Sequence, residues 1–117
     1  NKRWSIGLQS PIGPGIVRKL YLDNNSIATS GTYMNFHSID NKKYPHLIDP
    51  LIGQPVPNHI VSATIQSPNC IDADAIATMV ISLGYSRMMT VLRSLQDIKY
   101  YIIINDGDSL KVISSFD

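Results

Sequence analysis

The sequence predicts an α+β fold, an antiparallel sheet with two consecutive helices packed on one face, and three observations lead to it. Short runs that alternate apolar and polar residues recur between clusters of turn formers, which is the period of half-buried strands. Between Asp72 and Gln96 that period gives way to spacings of three and four, the mark of helices with one apolar stripe. Strand-like residues then resume on both sides of an Asp106-Gly107 step, so strands precede and follow the helical pair.

The elements follow in order. Trp4 to Gln9 (WSIGLQ) alternates as a strand with one buried face, and Ser10 to Gly15 (SPIGPG) turns the chain. Ile16 to Leu22 pairs back on it as a hairpin. Short strands are expected at Ser26 to Thr29 and Tyr33 to Ile39 around a tight Ser30-Gly31 step, with a further hairpin turn at Asn41. His59 to Gln66 (HIVSATIQ) is β-branched and alternates strongly. In the first helix, Asp72 to Leu83, the residues Ile76, Met79, Val80 and Leu83 share one face and Gly84 caps the end. The second helix, Ser86 to Gln96, turns Met89, Val91, Leu92 and Leu95 inward. Tyr100 to Ile104 and Leu110 to Ile113 form the closing hairpin.

The 117 residues suffice for a single domain, 1–117, with a continuous core. With 10 Lys and Arg against 9 Asp and Glu, no general attraction to nucleic acid is expected. One cysteine, Cys70, excludes an intrachain disulfide and a Cys/His zinc pattern. Buried, inert thiols are the common case at such a position. No apolar run approaches the roughly twenty residues that span a bilayer, and no charged segment followed by an apolar one opens the chain. The expectation is a soluble segment, mature or truncated because it lacks an initiator methionine.

Tyr44 to Val56 (YPHLIDPLIGQPV) carries the strongest local signal. Pro45, Pro50, Gly53 and Pro55 restrict or redirect the backbone, giving a stiff loop around His46 and Asp49. Such loops hold chemical groups in place, but His46 and Asp49 could equally hydrogen-bond each other or nearby backbone. In CIDADAIAT, Asp72 suits a helix N-cap. Asp74 and Thr78 lie one turn apart, so their oxygens project from one side of the helix. Two oxygen donors at that spacing suit a hard cation such as Mg²⁺, although the pattern is common by chance. Free N–H groups at the helix start also attract phosphate. Ala28 to Tyr33 (ATSGTY) offers hydroxyls and a glycine that lets another group approach, or is simply a bulged strand.

Three segments in this order, ATSGTY, HLIDPLIGQPV and ATIQSPNCIDADAIATMVISLG, closely resemble the carboxy-terminal part of the ApbE-type flavin transferases, historically labelled thiamine biosynthesis lipoproteins. The likeness runs from about Trp4 to the chain end and implies an ApbE/T-fold-like architecture. It further implies an enzyme that takes FAD and Mg²⁺, transfers FMN to a threonine hydroxyl of an acceptor flavoprotein and releases AMP. On matching positions it assigns Asp74 and Thr78 to the metal, His46 to catalysis beside the pyrophosphate, and Ile48 to the flavin nucleotide. Asp49 and Pro50 then shape the loop. Thr32 stands where the family usually has an acidic residue, and Ile52 where it commonly has threonine. The family's amino-terminal segments have no counterpart here, so the chain reads as the carboxy-terminal part of a longer transferase that binds FAD weakly or not at all alone. Hydrolysis of FAD to FMN and AMP, or non-enzymatic flavin binding and assembly, are the competing readings. Export or membrane anchoring is common in the family; oligomeric state is not readable.

Overall fold

The computed structural model describes residues 2–33, 36–56 and 59–117. In chain order the elements are β1 (Trp4–Gln9), β2 (Ile16–Leu22), β3 (Ser26–Gly31), β4 (Phe36–Ile39), β5 (Lys42–Pro45), β6 (Ile48–Asp49), β7 (Gln54–Pro55), β8 (Ile60–Ser67), α1 (Cys70–Leu83), α2 (Tyr85–Ser94), β9 (Lys99–Asn105) and β10 (Leu110–Ser114). The α+β expectation holds: β10, β9, β8 and β3 form an antiparallel sheet in that order, and the two helices follow one another against it.

Strand alternation divides the sheet's two faces. Ala63 and Ile65 of β8 and Ile102 of β9 point into one core with Ala73, Ala77, Val80 and Ile81 of α1 and Met88 and Leu92 of α2. Tyr101 and Ile103, one step along β9, point into a second core with Leu8 and Leu20 of the β1–β2 hairpin. The hairpin therefore covers the face that the helices leave. Each large apolar side chain buried in this way contributes roughly 1.5–3 kcal/mol.

The helix faces differ from those expected. On α1 the wholly buried residues are Ala73, Ala77, Val80 and Ile81, while Ile76 and Leu83 only flank them. Alanine has little weight in a pattern of large apolar residues, yet its small side chain is what lets α1 lie close against β3 and β8. On α2 the buried residue that periodicity missed is Met88, which is 0% exposed. The helix ends earlier than the pattern suggested, at Ser94.

Further differences are local. Asn69, extended at φ −113° and ψ 135°, occupies the N-cap of α1, so Asp72 lies within the first turn and accepts a 3.1 Å hydrogen bond from Asn69 Nδ2. Asp72 still places negative charge at the positive end of the helix. β3 continues through the Ser30-Gly31 step in unbroken register from Ser26 opposite Ser67 to Gly31 opposite Ser62. The bulge lies instead in β8, where the register between Ile60 and Ser62 slips and leaves Val61 as the extra residue. Its carbonyl accepts from the Thr32 N–H at 2.9 Å. Part of the expected strand from Tyr33 falls outside the described residues; β4 starts at Phe36 and turns to β5 through Asp40 and Asn41, both at positive φ.

Candidate active site

The loop after β5 is built around Asp49. Pro50 fixes the start of a tight turn in which the Asp49 carbonyl accepts from Ile52 N at 3.3 Å and Gly53 N at 2.8 Å. Gly53 closes that turn at φ 65°, a conformation costly for residues with a Cβ. The Asp49 carboxylate completes it, Oδ1 accepting from Leu51 N at 2.9 Å. β6 and β7 then pair across the turn, and Val56 N donates to Leu47 O at 3.1 Å.

Exposure alternates over residues 46–49, the last two of which form β6. Leu47 packs toward the helix-side core and Asp49 is buried, whereas His46 and Ile48 are exposed, Ile48 at 50%. His46 and Ile48 therefore face outward from a segment whose alternate residues anchor it. The sequence left open whether Asp49 pairs with His46. Its carboxylate pairs with Arg87 of α2 instead: Arg87 Nη2 lies 3.1 Å from Asp49 Oδ2, and Arg87 Nε donates to Leu83 O at 2.8 Å. Sequence reasoning missed Arg87, because a pairing across 38 positions leaves no local pattern.

β6 lies against α1, so the loop borders the helix that carries Asp74 and Thr78. Asp74 is exposed, and Thr78 is half-buried with Oγ1 3.0 Å from Ser30 Oγ. The hydroxyl-rich segment and the helix motif, read separately in the sequence, thus meet through their side chains. Gly31 beside them is small for a steric reason, since a Cβ there would fall 2.6 Å from the Tyr33 ring. The approach foreseen at this glycine is made by the chain's own aromatic side chain. On the strand's other side Thr29 Oγ1 and Thr64 Oγ1 are 2.8 Å apart.

Oxygen donors at Asp74 and Thr78 suit a hard divalent cation. Among the described residues no group of three or more His, Cys, Asp or Glu is gathered to hold a metal, so these two would supply only part of a coordination shell. A crevice of about 390 Å³ between the hairpin and the sheet is lined by residues including Leu8, Thr29, Ser62 and Tyr101, but by none of His46, Ile48, Asp74 and Thr78. His46, Ile48 and Asp74 are exposed and Thr78 is half-buried. Cys70 is exposed in the first turn of α1, contrary to the buried thiol expected. No helix among the described residues is long and apolar enough to cross a membrane.

The family model described as the ApbE family matches residues 1–102. The chain belongs to the ApbE family. An FAD:protein FMN transferase of Escherichia coli (strain K12) is 34% identical over 110 residues, which cover 92% of this chain and 31% of that protein. One from Klebsiella pneumoniae (strain 342) is 33% identical over 112 residues, covering 94% and 32%. Among solved structures, the ApbE protein of Thermotoga maritima matches with a TM-score of 0.81 at 27% identity, over 95% of this chain and 36% of that one. The apo form of the flavinyl transferase ApbE of Pseudomonas stutzeri matches at 0.76 and 25% identity, over 95% and 34%. The chain has the ApbE fold over about a third of these relatives' length.

Proposed function

We propose that this ApbE chain is the carboxy-terminal part of a flavin transferase that moves FMN from FAD to a threonine of an acceptor protein and releases AMP. The observation that carries the reading is the arrangement of His46 and Ile48, held outward on an anchored loop beside the helix of Asp74 and Thr78. FAD:protein FMN transferase is the name of relatives that this chain matches over more than nine-tenths of its length. The coverage of about a third supports a division of labour in which the remainder of the protein supplies the opposite wall.

In this reading the threonine oxygen forms a bond to the FMN phosphorus while the pyrophosphate P–O bond breaks, and AMP leaves with the bridging oxygen. His46 takes the threonine proton, which requires an exposed imidazole reachable by a second protein. Ile48, two residues on and likewise exposed, supplies an apolar contact to the flavin nucleotide. Asp74 and Thr78 would hold Mg²⁺. A cation held there would supply charge neutralisation for the pyrophosphate and the departing phosphate. Thr78 has one hydroxyl proton and two lone pairs, so donating to Ser30 leaves lone pairs available to a metal.

The test is product analysis. The protein at full family length, given FAD, Mg²⁺ and an acceptor protein, should yield fluorescent covalent flavin on the acceptor with one AMP per label. AMP and FMN without labelled protein would replace transfer by hydrolysis, and neither product would end the enzymatic reading.

A further inference from the structure

The Arg87 guanidinium joins the junction of α1 and α2 to a loop 38 positions earlier in the chain. Its Nε donates to Leu83 O, in the last turn of α1, at 2.8 Å, and its Nη2 lies 3.1 Å from Asp49 Oδ2 in the loop. Arg87 itself belongs to α2, which begins directly after Gly84, at φ 75°. A guanidinium is a planar fork with donors at fixed separation, so it sets the distance between the two acceptors it serves. An ammonium on a flexible stem offers no such gauge.

What the fork holds is the inner side of the β6 strand. The Asp49 side chain is 8% exposed and has its other oxygen on Leu51 N, while its backbone carbonyl takes the Ile52 and Gly53 N–H groups. Displacing this carboxylate therefore moves the whole turn. His46 and Ile48 stand on the outer side of the same few residues, with Leu47 and Asp49 as the inward anchors between and after them. Leu47 is held by apolar packing, which is tolerant of direction; Asp49 is held by directional hydrogen bonds.

We propose that Arg87 is a positioning residue for flavin transfer: through Asp49 it fixes the loop that presents His46 and Ile48 relative to the end of α1. The proposal rests on the transferase reading, and the two fail on different measurements. Misplacing a catalytic group by about 1 Å costs on the order of 100-fold in rate, so a residue that touches no substrate can control kcat in this way.

Amide hydrogen exchange on this chain measures the positioning without any activity. Arg87→Met should speed exchange at Leu51, Ile52 and Gly53 by about 10-fold or more while Ala77 and Val80 of α1 keep their protection. Arg87→Lys restores the charge but not the fork, and should recover less than half of that protection. Asp49→Asn keeps an acceptor for Leu51 and should loosen the same amides. The double variant Asp49→Asn, Arg87→Met should be no worse than the more affected single one, since both act through one contact.

In the protein at family length, Arg87→Met should lower kcat for transfer at least about 10-fold, with Arg87→Lys intermediate. Uniform loss of protection across α1 and the sheet, additive single effects, or an unchanged kcat would overturn the proposal. A wild-type protein that neither labels an acceptor nor releases AMP would refute the transferase reading instead; the exchange cycle would then still decide whether Arg87 fixes the loop, though no longer for flavin transfer.

Discussion

Thr78 of α1 and Ser30 of β3 face each other with their hydroxyl oxygens 3.0 Å apart. This contact ties the helix motif to the central sheet beside Gly31, at the place where the proposed cation site begins. Replacing Thr78 by valine keeps the shape and removes the oxygen. Loss of one partly buried neutral hydrogen bond should cost about 0.5–1.5 kcal/mol in urea unfolding. Thr78→Ser should keep divalent-cation affinity by calorimetry in the family-length protein and Thr78→Val should lose it; equal affinities would remove Thr78 from the site.

Asp74 offers the complementary case. It is exposed and its side chain makes no hydrogen bond or ion pair among the described residues, so the fold has little use for its charge. Asp74→Ala should change stability by less than about 0.5 kcal/mol, as surface substitutions away from special features do. The same change should abolish Mg²⁺-dependent AMP release. A variant that unfolds, or one that retains full turnover, would contradict the assignment.

Gly53 closes the loop turn at φ 65°, with nothing within 4 Å of a Cβ placed there. Any effect of Gly53→Ala is then conformational, because no neighbour would be struck. The left-handed region costs a residue with a Cβ about 1–2 kcal/mol. A thermal-melt series should show a loss of that order in Gly53→Ala and a much smaller one in Gly53→Asn, whose side chain tolerates this region. Equal losses would mean that the turn does not hold its backbone this way.

A pH effect is expected far from the site. The Asp106 carboxyl is held below its usual range by a hydrogen bond from Lys111, 2.5 Å away, and then by that residue's charge; the same partner raises Lys111. A depressed carboxylate contributes stability above its unfolded pKa and loses it as pH falls through the folded one. The raised lysine contributes below its unfolded pKa and loses it as pH rises through the folded one. The pair thus acts across the neutral range, and because both groups are exposed, salt should screen it. Comparing melting temperatures of the wild type and Asp106→Asn, the gap should narrow toward strong acid and in high salt; a pH-independent gap would show that the charge is irrelevant.

Much of this architecture is legible in the sequence because strand alternation and turn chemistry are local. The β1 and β2 limits, the Asp40-Asn41 turn and the Gly84 break all follow from residues a few positions apart. The face of α1 is not legible from large apolar residues, since its inner stripe rests on Ala73 and Ala77, selected by closeness to the sheet. Asp49 announces itself through the prolines around it, but its partner Arg87 comes from another element and is fixed by tertiary packing alone. Ser30 is visible as one hydroxyl among several, and only the α1–β3 contact singles it out. Loop stiffness points to His46 and one-turn spacing to Asp74 and Thr78, whereas Ile48 is singled out by motif resemblance alone.

The central claim is that the anchored loop and α1 form one wall of a flavin-transfer site. Its most direct measurement is covalent flavin on an acceptor protein, read by in-gel fluorescence alongside chromatographic AMP, for the family-length wild type and His46→Ala with FAD and Mg²⁺ in excess. The wild type should give labelled acceptor and equimolar AMP, and His46→Ala should lose at least about 100-fold in both rates, as removal of a general base does. Undiminished labelling by His46→Ala, or no labelled acceptor from the wild type, would contradict it.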